Sequence, residues 1–325
     1  MKLFAIVLFV ASVLGQSRTS PPEGAIVVAP SGGDFTSIQE AVDSLSDGTA
    51  ETIYIAAGTY KEQVYIPPRS AQLTIYGETE DTASYSANVV TVTQGKSQDD
   101  SDNNDLTATL RNWAANSKVY NINLENTRGE GSQALAVSAQ ASNQGYYGCQ
   151  FLGYQDTVLA NEGTQVYAAS LIQGATDFIF GQRAAAWFDS VDIRVLSASK
   201  GYITANGRDS DSNPSYYVIH QSTVAAADGN SVSDGAYYLG RPWREYARVV
   251  FQGTSLYSVI NSAGWTIWNS GDERTSNVLF GEYGNSGDGS GGSRANFATA
   301  LSAAIGIEEI LGGDYADWVD TSYLA

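Results

Sequence analysis

The sequence repeats itself at a constant short interval, and this repeat restricts the possible folds more than any other feature. Phe151, Ile172 and Ile193 follow one another in equal steps, and Cys149 and Ser170 keep the same step within similar short strings. A period of about 20 to 25 residues built from short apolar runs is typical of solenoid proteins. In a β-solenoid, equivalent positions on successive coils lie about 4.8 Å apart, the spacing of strands in a sheet.

Two acidic residues share this interval. Asp156 lies in the stretch 153–157, and Asp177 lies in the stretch 174–181, where three large apolar residues follow it directly. Positions one coil apart are neighbours in a β-solenoid, so the two carboxyl groups are expected on adjacent coils, close enough to act on one substrate. A ladder of acidic and amide side chains can also cap the turns of a solenoid. The spacing alone therefore leaves a structural and a catalytic function open.

The rest of the chain also indicates an all-β fold. Short runs rich in β-branched and aromatic residues alternate with turn residues. The spacing between these runs leaves no room for a crossover helix each time, which argues against a doubly wound sheet. The predicted strands are 52–55, 72–76, 89–92, 119–124, 134–138, 148–151, 166–172, 186–195, 216–220 and 249–256.

Two helical segments are expected at the ends of the solenoid. In the stretch 34–46, an apolar stripe with helical spacing comprises Ile38, Ala41, Val42 and Leu45. Thr36 and Gln39 fit a capping box at its start. A solenoid needs its open end covered, and this amphipathic helix is a natural N-terminal cap. The segment 301–311 is predicted to form a C-terminal helix that packs back on the coils.

The chain is predicted to have a signal peptide, residues 1–15, followed by one catalytic domain, residues 16–325. The first segment has one basic residue, an apolar run too short to span a bilayer, and a small residue at its end. No later stretch is apolar enough for a membrane helix, so we expect a secreted, extracellular protein. A solenoid core grows along one axis, which makes one domain of this length reasonable.

The single cysteine, Cys149, excludes an intrachain disulfide, and its repeat position predicts a buried small residue.

The residue types present in the chain favour catalysis by carboxyl groups. His220 is the one histidine, no Gly-x-Ser-x-Gly motif is present, and no serine is placed beside His220. No cluster of histidine and cysteine suggests a metal site, and neither a metal nor another cofactor is expected. The acidic stretch 99–105 lacks the glycine and the final glutamate of a calcium loop and is interpreted as a solvated loop. Two carboxyl groups about 5 Å apart cannot both ionise easily, so one is expected to keep its proton.

Six short blocks carry a family resemblance. They are Gly58-Thr59-Tyr60-Lys61-Glu62, Gln155-Asp156-Thr157, Asp177-Phe178-Ile179-Phe180-Gly181, Leu239-Gly240-Arg241-Pro242-Trp243-Arg244-Glu245-Tyr246, Gly264-Trp265 with Trp268-Asn269, and Gly281-Glu282-Tyr283. Together they resemble the signature blocks of the pectin methylesterase family, in its fungal secreted form, and they occur in the family's order. The similarity runs from about residue 27 to residue 318.

The resemblance implies a right-handed parallel β-helix and a role for each residue of the acidic pair. Arg241 would contact Asp177 and keep it an anionic nucleophile, while Asp156 would be the protonated acid and base. Gln155 matches the glutamine to which the family assigns the oxyanion. Gln133 lies about one coil before Gln155 and could supply a second neutral donor.

The resemblance also implies a groove that binds methylated pectin. Aromatic side chains near the acidic pair could stack on sugar rings, although they could equally pack against the solenoid wall. Where the family commonly has an aromatic residue three positions after the first acid, this chain has Leu159. The residues expected to bind substrate are Gln133, Phe180, Arg241, Trp243 and Trp265.

Two other functions remain open. A retaining glycoside hydrolase also uses two carboxyl groups about 5 to 5.5 Å apart, and a carbohydrate-binding or adhesion solenoid would need no catalytic residues. No nucleic acid or membrane partner is expected, and we expect a monomer. The net charge of −18 predicts repulsion of demethylated pectin, unless Arg241, Arg244 and Arg248 form a local basic groove.

Overall fold

The protein is a parallel β-helix, seen in a computed structural model that describes residues 16–325. The predicted signal peptide lies outside the described residues. In chain order, the strands are β1 (Ile26–Val28), β2 (Glu51–Ile55), β3 (Gly58–Tyr60), β4 (Val64–Ile66), β5 (Leu73–Gly77), β6 (Val90–Gln94), β7 (Leu110–Asn112), β8 (Ser117–Tyr120), β9 (Asn123–Asn126), β10 (Val137–Ala139), β11 (Gln144–Tyr147), β12 (Gln150–Leu152), β13 (Val158–Ala160), β14 (Thr164–Ala168), β15 (Leu171–Gly174), β16 (Thr176–Gly181), β17 (Ala185–Asp189), β18 (Asp192–Val195), β19 (Gly201–Asn206), β20 (Tyr216–His220), β21 (Thr223–Ala226), β22 (Tyr237–Pro242), β23 (Arg248–Gln252), β24 (Ser255–Leu256), β25 (Leu279–Tyr283) and β26 (Ala298–Ala300).

Helices are short and lie outside the coils. The two α-helices are α1 (Ile38–Asp43) and α2 (Ile307–Leu311). Single turns of 3₁₀-helix occur at Tyr85–Ala87, Asp105–Thr107, Asp288–Ser290, Tyr315–Asp317 and Thr321–Tyr323. Among residues 16–325, no helix is both long and apolar enough to cross a lipid bilayer.

From β2 to β24 the chain visits three parallel sheets in a fixed rotation. Sheet 1 consists of β1, β2, β5, β8, β11, β14, β17, β20, β23, β25 and β26; sheet 2 of β3, β6, β9, β12, β15, β18, β21 and β24; and sheet 3 of β4, β7, β10, β13, β16, β19 and β22. The predicted register is confirmed, because Phe151 pairs with Ile172 and Ile172 pairs with Ile193 in sheet 2. The all-β expectation and the parallel β-helix are therefore both correct.

A column of left-handed backbone forms the corner between sheets 1 and 2. Asn121, Ala169, Ser190 and Gln221 have φ between 44° and 53°, and each donates its backbone N–H to the next coil, as Ala169 does to the carbonyl of Asp189 at 3.0 Å. This corner divides three segments that were predicted as single strands, 119–124, 166–172 and 186–195, into two strands each. The prediction failed there because a single left-handed residue turns the chain without a glycine or proline signal. A fourth predicted strand, 249–256, is divided in the same way at Gly253.

Side chains stack in columns inside the coils. The rings of Tyr146, Tyr167 and Phe188 lie one above another, with centroids 4.9 Å and 4.7 Å apart. Cys149 is fully buried, as predicted, and its backbone N–H donates to the Ser170 hydroxyl on the next coil at 3.0 Å. The buried columns supply the apolar area that holds the coils together.

Helix α1 packs against the first coils, β1 and β4, and its apolar stripe is buried as predicted. The predicted cap is wrong by one position. Ser37, not Thr36, is the N-cap residue, and its hydroxyl accepts from the Glu40 N–H at 3.4 Å. The Glu62 carboxylate adds a cap from outside the helix, accepting the N–H groups of Ile38 and Gln39 at 2.9 Å. Negative charge at a helix N-terminus stabilises it.

The C-terminal helix is shorter than predicted. Only Ile307–Leu311 of the segment 301–311 is helical, and it packs on β14 and β17 of sheet 1. Residues 301–306 are not helical, and the Gln252 side chain bonds both the N–H and the carbonyl of Ile305, at 2.8 and 2.9 Å. Two hydrogen bonds to a side chain of sheet 1 replace the local bonds of a longer helix.

Candidate active site

Asp177 occupies an irregular position on sheet 3. It lies in β16, and the register of β16 with β19 shifts between Thr176 and Ile179, so that Asp177 and Phe178 together oppose one residue of β19. This is a β-bulge, and Asp177 there has a left-handed φ of 49°. The bulge turns a carboxyl group out of the regular alternation of the strand, which is a common device beside functional sites.

Asp156 occupies the equivalent position one coil earlier. It precedes β13 and has a left-handed φ of 62°, and its N–H donates to the carbonyl of Thr176, the residue before Asp177, at 3.0 Å. Both aspartates are 7% exposed. Two adjacent coils thus present two nearly buried carboxyl groups with the same unusual backbone conformation. A non-glycine residue in this conformation stores strain, which is frequent at functional sites.

Arg241 binds one carboxyl group of the pair. It lies on β22, and its Nε and Nη2 atoms donate to the two oxygens of Asp177 at 2.9 and 2.7 Å. Its guanidinium lies over the rings of Tyr202, 4.0 Å from the centroid, and Trp268, at 4.3 Å. The two aromatic rings and the two-pronged hydrogen bond fix the orientation of the guanidinium.

The surroundings of the two carboxyl groups shift their pKa values by different amounts. Burial raises the pKa of Asp156 well above that of a free aspartate, and the nearby Asp177 raises it further. Arg241 and two amide side chains oppose this rise only in part. Burial also raises the pKa of Asp177, but the hydrogen bonds and the positive charge of Arg241 limit this rise. The pair therefore favours a neutral Asp156 beside an ionised Asp177.

Two amide side chains, those of Gln155 and Asn104, contact Asp156. The Gln155 amide lowers the pKa of the Asp156 carboxyl group, and Gln133 lies on the preceding coil, where its neighbour Ala134 donates its N–H to the Gln155 carbonyl at 3.1 Å. Asn104 was missed by the sequence analysis, yet its Nδ2 atom lies 3.4 Å from Asp156 Oδ2. It comes from the stretch 99–105, which was interpreted as a solvated loop. No spacing in the sequence connects Asn104 with Asp156, because the loop does not follow the coil repeat.

The family model for pectinesterase matches residues 25–302 of this chain. The chain belongs to the pectinesterase family. A pectinesterase of Aspergillus niger is 58% identical over 99% of this chain and 98% of its own length, and one of Aspergillus aculeatus is 56% identical with the same coverage. This confirms the resemblance to the fungal type and shows that the protein is an esterase.

Solved pectin methylesterases have the same fold as this member of the family. The Aspergillus niger structure superposes with a TM-score of 0.89 at 43% identity, covering 95% of this chain and all of that one. The structure from carrot superposes with a TM-score of 0.81 at 27% identity, covering 94% of this chain and 98% of that one. The parallel β-helix is thus shared by enzymes from a fungus and a plant.

The aromatic residues predicted to stack on sugars have different positions in this pectinesterase. Trp243 is half-buried beside Phe180, with ring centroids 6.1 Å apart, and Phe180 is 3% exposed. Leu159 pairs with Phe180 on the next strand and contributes to the same apolar wall. Trp265 requires a correction, because it is 1% exposed and stacks on the Phe280 ring at 4.4 Å. An indole buried in the core has no face for a sugar.

Trp268 takes the place beside the site that was predicted for Trp265. Its ring covers Arg241, and Arg274 lies over the same ring at 5.0 Å and donates to the carbonyl of Trp243. Trp268 lies in one of the family blocks, so the sequence contained a signal for it. The spacing did not show which of the two tryptophans faces outward.

His220 lies on sheet 1, outside the carboxylate site of this pectinesterase. Its Nδ1 atom is 3.2 Å from Gln252 Nε2, and its ring centroid lies 5.1 Å from that of Trp187.

We expect the variant His220→Gln to keep near-normal ester hydrolysis from pH 4 to pH 8, since no reacting group of the site touches the imidazole. Initial rates with a thermal melt as folding control test this. Loss of activity in a folded variant would support a mechanism that uses histidine.

Proposed function

We propose that the protein removes methyl groups from the methylated galacturonate units of pectin and releases methanol, with Asp177 as nucleophile and Asp156 as acid and base. The observation that carries the proposal is the two-pronged bond of Arg241 to Asp177 beside an Asp156 whose pKa is raised well above its usual value. Ester hydrolysis by this route needs one ionised and one protonated carboxyl group, and the site favours that pair of states.

In the first step, an Asp177 oxygen attacks the ester carbonyl carbon and the bond from that carbon to the methoxy oxygen breaks. Asp156 gives its proton to the departing oxygen, and methanol leaves. The product is an anhydride between Asp177 and the galacturonate carboxyl group. Asp156, now ionised, takes a proton from water as the water oxygen attacks the galacturonate carbonyl carbon of the anhydride, and the bond from that carbon to the Asp177 oxygen breaks. Asp177 is again ionised and Asp156 again protonated, and the galacturonic acid unit loses its proton to the solvent after it leaves.

The negative oxygen of each tetrahedral intermediate needs neutral donors, because another carboxylate would repel it. The Gln155 amide contacts Asp156, and Gln133 lies on the preceding coil, where Ala134 bonds the Gln155 carbonyl. We assign the oxyanion to these two amide groups. Trp243 would form the apolar wall against which the sugar lies, and the nearly buried Phe180 supports its ring from behind. Arg241 would contact the substrate as well as Asp177, because it is bonded to the carboxyl group that attacks the ester.

Methanol measurement decides between this function and its alternatives. Highly methylated pectin incubated with the purified protein should yield methanol and acidify the solution without new reducing ends. New reducing ends would indicate a glycoside hydrolase, and neither product would indicate a binding protein. The variant Asp192→Asn removes an aspartate that pairs with Arg194 on sheet 2, away from the site on sheet 3, and serves as a matched active control.

The protein is further proposed to be secreted as a monomer by means of residues 1–15. The apolar run in this segment supports the proposal. Protein sequencing of the material recovered from culture medium would locate the mature N-terminus. A first residue within the range 1–10 would contradict cleavage near residue 15.

The variant Arg241→Lys should lower kcat/KM by about ten- to a hundred-fold. Lysine keeps the charge, but it cannot make the two fixed bonds to Asp177, and losing one charged hydrogen bond costs about 1.5–3 kcal/mol. Arg194→Lys changes the equivalent residue of a remote pair and should have little effect. Near-normal kinetics for Arg241→Lys would show that Arg241 has a structural function only.

Net charge should make the enzyme slower on weakly methylated pectin. The chain carries −18 and demethylated pectin is a polyanion, so the two repel over the ~10 Å range set by 0.1 M salt. One contact supports this sign, since the charge of Arg241 is paired with that of Asp177. Moderate monovalent salt at pH 6 to 7 should therefore accelerate hydrolysis of weakly methylated pectin. Inhibition by salt would indicate a locally basic groove.

A further inference from the structure

Sheet 3 continues well beyond the catalytic pair, and a second row of residues runs along its outer edge. The row follows the backbone bonds from coil to coil: Gln140 N–H donates to the carbonyl of Asn112, the residue before Trp113, at 2.9 Å, and Trp243 N–H donates to that of Asn206 at 3.1 Å. The members in order are Trp113, Gln140, Asn161, Gln182, Gly207 and Trp243. One tryptophan, Trp243, therefore stands at the β22 end of the row, and the other, Trp113, stands at the β7 end.

The tryptophan at the β7 end of the row is exposed but held in place. Trp113 is 37% exposed, one of four large apolar residues in the range 16–325 with this degree of exposure. Its indole Nε1 donates to Asp105 Oδ1 at 3.1 Å, and the same oxygen accepts from the Ser138 hydroxyl at 2.7 Å. Arg111 donates two hydrogen bonds to the other oxygen of Asp105, at 3.0 and 2.7 Å. A tryptophan with its polar atom satisfied and an open ring surface is suited to an amphipathic ligand.

The loop that holds Trp113 also reaches the active site. Asn104, whose amide lies 3.4 Å from the Asp156 carboxyl group, directly precedes Asp105, whose carboxylate orients Trp113. Strand β7 before Trp113 and strand β13 after Asp156 are separated by one strand, β10, so these strands lie about 10 Å apart along the sheet. The two residues stand at opposite ends of those strands. A sugar chain bound across the acidic pair and along this row would extend over Trp113.

The chemistry of the row fits a galacturonan. Amide side chains line the path between the two tryptophans, and Asn161 Nδ2 donates to Gln140 Oε1 at 2.9 Å. Amides can bond hydroxyl groups and uncharged esters without charge repulsion. The charge of Asp105 is balanced by Arg111, with side chains 14% and 18% exposed, so a galacturonate approaching Trp113 meets no unpaired anion there.

We propose that Trp113 is a distal binding platform, on which a sugar ring of the pectin chain stacks while another unit is hydrolysed at Asp177. This inference rests on the proposed function, and it adds a residue that binds long substrates only. The apolar C–H face of a pyranose ring would cover the exposed indole and remove both surfaces from water. Because this contact is made equally before and during the reaction, it should lower KM without changing kcat.

The test compares long and short substrates. Trp113→Ala should raise KM for a methylated octagalacturonate by about three- to ten-fold, the range expected for loss of one aromatic stacking contact, with kcat unchanged. A methylated trimer cannot cover both positions, so its kinetics should not change. Trp113→Tyr keeps a ring and should restore most of the affinity. Tyr257→Ala removes another exposed aromatic, 54% exposed and next to sheet 2, and is the matched control.

Two results would overturn the platform: an unchanged KM for the octamer, or an equal change for octamer and trimer. A binding measurement separates this inference from the proposed function. If the protein releases no methanol, calorimetric titration with demethylated octagalacturonate still compares Trp113→Ala with the unsubstituted protein. Weaker binding of the variant supports the platform even then, and equal binding overturns it.

Discussion

The variant Asp177→Asn should lose ester hydrolysis by roughly 10³-fold or more while its fold and melting temperature are retained. An amide nitrogen or oxygen cannot form the acyl anhydride that the proposed route requires. Asparagine is the suitable replacement, because it tolerates the left-handed backbone of this position, where φ is 49°, better than alanine does. Initial methanol release from highly methylated pectin measures the effect.

The control for this experiment is Asp192→Asn, which also replaces an aspartate paired with an arginine and should remain active. Mass spectrometry of the Asp177→Asn protein confirms that the new amide has not hydrolysed back to the acid. If the intact variant kept more than a few per cent of normal turnover, the nucleophile would not be Asp177. In that case Arg241 would be orienting a structural carboxylate.

The central coils of this fold could be predicted because the interior demands the same residue types at the same interval. Phe151, Ile172 and Ile193 fill one apolar column. Because each of them must pack in the same interior, apolar residues recur at a constant interval in the sequence. Later coils lack this signal. Trp187 pairs with Val218, an interval longer than that of the central coils. Loops of unequal length leave the strands in register but destroy the period along the chain.

The acidic pair and Arg241 could be identified from sequence, but their surroundings could not. The coil repeat placed Asp156 and Asp177 together, and the family blocks supplied Arg241. Asn104 enters the site from a loop, and a loop carries no periodic signal that would connect it with Asp156.

The two tryptophans of one family block also could not be placed from the sequence. Trp265 and Trp268 are close in the sequence and of the same residue type, so neither spacing nor composition separates them. Which of them becomes buried depends on packing against Phe280, a contact made only in the folded chain.

Left-handed corners explain why several strands were predicted too long. Residues as different as Asn121, Ala169, Ser190 and Gln221 adopt the same conformation at the corner of sheets 1 and 2. The backbone bonds between coils impose this conformation on several residue types, and it therefore leaves no pattern in the sequence. The left-handed backbone of the acidic pair was not foreseen either, and at Asp177 it belongs to the β-bulge of β16.

The variant Asp156→Asn should lower kcat by about 10²- to 10⁴-fold, the usual contribution of a general acid and base. Asp177 and Arg241 remain, so methanol would still leave slowly without a proton donor. As at Asp177, the left-handed φ of 62° favours asparagine over alanine as the replacement. Turnover equal to that of the unsubstituted enzyme would exclude Asp156 from acid catalysis.

The pH dependence of this variant distinguishes a catalytic from a structural Asp156. In the free enzyme, the first step requires Asp177 ionised and Asp156 protonated. Activity, as kcat/KM, should therefore rise with pH through the pKa of Asp177 and fall through that of Asp156. Burial raises the pKa of both groups, and that of Asp156 is raised well above its usual value, so both limbs move to higher pH than free aspartates would give. Asp156→Asn has no group to lose the proton, so its residual activity should rise with pH and then stay level. A descending limb that persists in the variant would belong to another residue.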